Sequence, residues 1–418
     1  MTKQSMKVRE TSLHLMMIML AAFPGLCWGN QMDPHVYPDQ GPFFEGWYMR
    51  IIDAGNERSF GWLFGRVLPT KSASSVPCED ESLKLLFTSE RCKEVRDNVK
   101  NNFMNGSLPL VYSSLLINSG PKSKLQAVTG FFEPEDYVIT KKGKPVEENP
   151  DDATPPSFEA KIGDNVTFVV KPSGTTFSLT VGNIVLRGST SSPVPWGPNG
   201  EGPEGWLEYL PLPIHWFVYS LRSNVVHYEY INKLTGQTLS GPDHNGVPVV
   251  AHMEKDWGKS FPKAWIWSEG VDPWTNVSFA ISSGIVTELG VDLKAQLSGY
   301  RNPNKGIHCS FSPANSVHHL TSDGCSNTAT LVSESLECKV IYQLSAPLGS
   351  FSDCLFTPQY KGFRPGCLES YRAVANITVY QRHFVEMELT DHQVVKLAAL
   401  EFGEEYMCHG KCPPKSEL

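Results

Sequence analysis

Three short stretches of the chain set ionisable side chains among tryptophan and tyrosine. They are FFEGWYMR (Phe43 to Arg50), GWLEYLPLPIHWFVYSL (Gly205 to Leu221) and HMEKDWGKSFPKAWIW (His252 to Trp267). A carboxyl group desolvated among aromatic rings is pushed toward its neutral form, so it can keep a proton and deliver it. Ring faces also stabilise a carbocation, by about 0.5 to 2 kcal/mol per well-placed ring. These are the parts for acid-catalysed chemistry on an alkene without a metal or redox cofactor. Glu45 or Glu254 is the candidate acid, with His215 or His252 as a polar relay.

Strand alternation sorts these groups onto faces. Glu45, Trp47 and Met49 share one face of the first stretch, and Phe44, Tyr48 and Arg50 the other. In the second, His215, Phe217 and Tyr219 align, with Trp216 opposite. In the third, His252, Glu254 and Asp256 align against Met253, Lys255 and Trp257, and the segment then turns through Phe261 toward Trp265 and Trp267. The expectation is an apolar cavity with Glu254, Lys255 and Trp257 in one wall and Glu45 to Arg50 in the other, holding an elongated hydrophobic small molecule.

The elements that must carry these residues read as strands. Short alternating runs separated by Gly, Asn, Asp and Pro recur along the chain, most clearly from Phe158 to Gly188, where hairpin turns follow one another. About fifteen strands in two halves predict an all-β protein of two antiparallel barrel or sandwich domains. The Ser-, Pro- and Gly-rich residues 189–203 are expected as the linker between domains spanning 30–188 and 204–412. One helical spacing, within residues 89–103, suggests a surface helix in an insertion near 71–105.

The 418 residues carry a net charge of −8, which argues against nucleic acid as an obligatory partner. After the N-terminus no run reaches the ~18 apolar residues that a membrane span needs. Residues 1–29 read as a secretory signal: Lys3, Lys7 and Arg9 precede an apolar run from Leu15 to Phe23. Asn105, Asn165, Asn276 and Asn376 head glycosylation sequons, which fits a secreted or ER-luminal protein. The tail, 413–418, ends in KSEL, close to a retrieval signal. Of the 10 cysteines, Cys27 lies in the signal. Proximity along the chain pairs Cys78 with Cys92, Cys309 with Cys325, Cys354 with Cys367 and Cys408 with Cys412, leaving Cys338.

No nucleophile elbow, phosphate loop, zinc-protease motif or dinucleotide fingerprint is present, so no cofactor is expected. FFEGWYMR, YLPLPIHW (Tyr209 to Trp216) and above all EKDWGKSFPKAWIW (Glu254 to Trp267) resemble segments of the tocopherol cyclase family. That resemblance implies two lipocalin-like β domains related to those of carotenoid hydratases. It also implies closure of a chromanol ring by protonating the alkene of a prenylated quinol. Asp256 stands where the family's motif carries Asn. The alternative reading of the same features is a luminal or secreted carrier of isoprenoids or other hydrophobic lipids.

Overall fold

The computed structural model describes residues 31–35, 37–38, 41–69, 108–121, 123–141, 144–145, 157–243, 246–288 and 291–412. The expected signal peptide, the helix within 89–103, Cys78, Cys92, Asn105 and the KSEL tail lie outside these residues. Among the described residues the chain forms two antiparallel sheets, of 13 and 10 strands, joined by turns and short 3-10 segments. This is the all-β, two-sheet architecture that the alternation predicts.

The first sheet begins at an edge with Gln126–Phe132, Val111–Asn118, Arg58–Leu68 and Phe43–Asp53. It continues through Val250–Gly258, Ile214–Asn232 and Ile184–Thr190 to the meander of Gly174–Val181, Val166–Lys171 and Phe158–Ile162. The second runs from Ile307–Phe311 through Val291–Asn302, Ser278–Glu288, Ala264–Val271, Glu386–Glu404 and Gly362–His383 to Cys338–Ser345 and its hairpin partners. Ile214–Asn232 is one long strand, kept continuous across two register shifts.

Residues 189–203 do not separate the sheets. They connect Ile184–Thr190 to Ile214–Asn232, which pair with each other (Leu186 opposite Tyr230). The chain crosses between sheets at residues 259–263, inside the third aromatic-acidic stretch. Pro, Gly and Ser mark where a ladder cannot continue, and that happens at a turn within a sheet as readily as at its end. Gly258 makes the exit possible: its φ is +151°, and a Cβ there would lie 2.4 Å from the Pro213 carbonyl oxygen.

Each sheet wraps its own core. Trp47, Trp62, Phe64, Phe168, Met253 and Trp257 lie in the first, and Phe279, Tyr300, Tyr342, Ile377 and Phe402 in the second. A third cluster, with Tyr48, Trp196, Trp216, Trp265, Trp267, Leu297 and Tyr371, fills the seam between them. Polar bonds cross the seam. The Arg50 guanidinium meets Glu269 at 2.5 Å with both side chains fully buried, and Trp196 donates to Ser310 Oγ at 2.9 Å.

Among the described residues three disulfides form, and they differ from the pairs expected from proximity: Cys309–Cys338, Cys325–Cys408 and Cys354–Cys412, with Cys367 a buried free thiol. Sheet pairing brings residues 29 to 83 positions apart into reach, which sequence spacing does not register. Three disulfides fit an oxidising compartment. No helix among the described residues is long and apolar enough to cross a membrane.

Candidate active site at the seam

A cavity of about 500 Å³ lies between the sheets. The first sheet contributes Tyr48, Leu63, Trp216, Glu254 and Asp256, and the second contributes Trp265, Trp267, Leu297, Glu369 and Glu401. Glu204 and the Pro211 to Ile214 connection close one flank, and Phe261 and Pro262 from the crossover border another. The volume suits a drug-sized organic molecule.

Pairing of Phe43–Asp53 with Val250–Gly258 decides which predicted residues meet here. Tyr48 sits opposite Glu254 and Gly46 opposite Asp256, all on the seam face. Gly46 adds no side chain beside Asp256. Trp47 sits opposite Lys255 and Glu45 opposite Trp257, on the face turned into the first core. The alternation therefore holds, but the expected wall of Glu45, Trp47, Lys255 and Trp257 faces away from the cavity, as does Tyr219.

Glu45 is fully buried and bound on Oε1 by Lys255 Nζ at 2.8 Å and His35 Nδ1 at 2.8 Å. Burial alone would favour its acid form, but Lys255 and His35 outweigh that and hold its pKa below the ordinary range. It is an ionised structural carboxylate. Lys255 also donates to the carbonyls of Gln31 and Asp33, so it pins residues 31–35 into the first core. Trp257 is stacked between His35 and His215, 4.8 Å from each ring. Arg50 is committed to Glu269 and lies 4.4 Å from the centre of the Tyr371 ring.

His215 does border the cavity, where its Nδ1 is 2.8 Å from Glu204 Oε2 and Glu204 Oε1 accepts the Trp216 backbone N–H. His252 stands behind Glu254. Its Nε2 lies 3.0 Å from Glu254 Oε2, which also accepts the Trp267 indole N–H at 3.2 Å. Burial lowers the His252 pKa, but Glu269 and Glu254 more than reverse this and leave it above the ordinary imidazole value.

Asp256 is different. Its carboxyl makes no hydrogen bond among the described residues, and the half-buried side chain lines the cavity. Burial, followed by repulsion from Glu254, Glu401 and Glu204, lifts its pKa far above the carboxylate range. Two further carboxyls come from the last long hairpin. Glu369 is fully buried and takes the Tyr48 hydroxyl on Oε1 at 3.1 Å, while its Oε2 has no partner. Burial and then Glu401 raise its pKa well above 4.5. Glu401 accepts the Trp265 indole N–H on one oxygen and the Cys367 thiol on the other, at 3.2 Å. Burial drives its pKa to about 7 against the pull of those two donors.

Glu204, Glu369 and Glu401 were not singled out in the sequence. A signal was available for two of them, because Glu369 and Glu401 are lone carboxyls in otherwise apolar strand segments, CLES and AALEF. Of the expected glycosylation sites, Asn165 is exposed in a hairpin turn and Asn276 half-buried in a turn at φ +60°. Asn376 lies within the Gly362–His383 strand, opposite Gln343 and Val394.

The chain matches no protein-family model and no curated protein sequence. Among solved structures it resembles CghA bound to Sch210972, with a TM-score of 0.54 and 10% identity over 93% of this chain and 98% of CghA. It also aligns with an AttH-assigned protein of Nitrosomonas europaea (TM-score 0.49, 14% identity, 92% of this chain and 98% of that one). A kievitone hydratase of Nectria haematococca aligns with a TM-score of 0.39 and 9% identity, over 90% and 94% of the two chains. The likeness to CghA is one of fold: a lipocalin-like, two-sheet β protein.

Proposed function

We propose that the protein is a cofactor-independent acid catalyst that closes a prenylated quinol to a chromanol, the reaction of the tocopherol cyclases whose motifs it resembles, with its proton donor at the position where their motif carries Asn. The observation that carries this reading is Asp256, an unbonded carboxyl in an apolar, aromatic-walled cavity, kept protonated by burial and by three neighbouring carboxyls. Asp256, rather than Glu45 or Glu254, is the proton donor.

Asp256 gives its proton to the less substituted carbon of the alkene, leaving a tertiary cation on the other. Trp216, Trp265 and Trp267 border the space this cation occupies, and the carboxylate left on Asp256 offsets its charge. The phenolic oxygen captures the cation to form the C–O bond, and its proton returns to the Asp256 carboxylate. Nothing is oxidised or reduced, and the product is an isomer of the substrate. On its N-terminal pattern and sequons the protein acts in the ER lumen or outside the cell.

Incubation of the purified protein with a prenylated quinol should yield a chromanol of equal mass. Asp256→Asn should lower the rate by about 10²- to 10⁴-fold while ligand-induced change in tryptophan fluorescence is retained. Binding without turnover by the native protein would instead assign it as a carrier of hydrophobic lipids.

A further inference from the structure

The cavity's chemistry also selects ligands by charge. Five carboxyl side chains border it, Glu204, Glu254, Asp256, Glu369 and Glu401, against His215, already engaged by Glu204, and Lys294 from the strand Val291–Asn302. At the inner end the carboxyls differ in what they still offer. Glu254 and Glu401 have their donors, whereas Glu369 Oε2 is fully buried without a partner and the Asp256 carboxyl makes no hydrogen bond among the described residues. Aromatic groups stand around them: Tyr48 meets Trp267 edge-on at 5.0 Å, and Phe261 meets Trp265 at 5.3 Å.

Carboxyl groups bordering a space walled by tryptophan and tyrosine are what a desolvated organic cation needs, since rings attract it through their quadrupoles and a carboxyl that releases its proton as the cation binds attracts it through charge. A carboxylate or phosphate in the same place would meet the carboxyl cluster, and the basic groups bordering the cavity are His215, engaged by Glu204, and the exposed Lys294. We infer that the seam cavity binds lipophilic ammonium ions and rejects anionic amphiphiles, so its natural ligands are neutral or cationic and exclude prenyl diphosphates and free fatty acids. The inference rests on the cavity being the ligand site, as in the proposed function, but does not require turnover.

Three probes of equal chain length test it: octyltrimethylammonium, octanol and octanoate, titrated into the full protein at pH 7.5 with binding read by tryptophan fluorescence and calorimetry. The expected order is ammonium tightest, by about tenfold or more over the alcohol, and octanoate weakest. Glu369→Gln should cut the ammonium's advantage over octanol at least threefold, with a cooperative thermal unfolding transition showing that the variant is folded. Equal affinity for ammonium and alcohol, or octanoate binding as tightly as either, overturns the inference, as does failure of all three to bind. Charge selectivity without conversion of a prenylated quinol would refute the cyclase reading alone. Conversion without charge selectivity would refute this one alone.

Discussion

Replacing Glu401 by Gln should make the protein more stable at alkaline pH, by an amount that grows with pH. Burial shifts the folded-state pKa of Glu401 from an ordinary 4.5 to about 7. Between those values the folded protein holds a proton that the unfolded chain has released, so native stability falls as pH rises through the window. The slope is about 1.4 kcal/mol per pH unit, and 2.5 units give a total of about 3 kcal/mol. Below pH 4.5 the native carboxyl is protonated in both states and this loss is absent. Glutamine has no proton to lose, and its amide oxygen still accepts from the Trp265 indole. The variant should therefore match the native protein near pH 4 and exceed it by about 3 kcal/mol at pH 8. Urea unfolding followed by tryptophan fluorescence at half-unit pH steps, with disulfides intact, measures the difference. A stability difference independent of pH would refute the assignment of Glu401 as a neutral carboxyl in the folded cavity.

Other consequences follow from the same contacts. A Cβ at Gly403 would lie 2.0 Å from the Trp265 indole, so Gly403→Ala should destabilise by about 1 to 3 kcal/mol in a thermal melt and weaken ligand binding. Arg50→Met strands the buried Glu269 carboxylate and should cost about 3 to 5 kcal/mol, with most of it recovered in the double variant Arg50→Met/Glu269→Gln by urea melts. Peptide mapping without reduction should recover links 309–338, 325–408 and 354–412, and Cys367 should resist alkylation until the protein is denatured.

Much of the architecture is legible in the sequence because it depends on a period of two. Alternation in FFEGWYMR and HMEKDWG correctly separates Glu45 and Trp47 from Tyr48, and Lys255 and Trp257 from Glu254 and Asp256. The density of turn residues likewise marks an all-β chain, and the carboxyl-aromatic mixture in the third stretch marks the neighbourhood of the cavity. Composition failed at residues 189–203, where Pro and Gly close a connection within one sheet, and spacing failed for the cysteines.

What tertiary structure decided is which face of each strand looks into the seam. Two faces of one strand are equivalent to a sequence pattern, and only pairing with Val250–Gly258 and packing against the second sheet turn Tyr48 and Asp256 toward the cavity and Glu45 toward Lys255. The protonation states follow from the same event. Glu45 meets the Lys255 ammonium and ionises, whereas Asp256 gathers Glu254, Glu204 and Glu401, the last 145 residues further along the chain, and keeps its proton. Local sequence fixes a side chain's chemistry and its face, but a pKa is set by desolvation and by charges that only folding brings near.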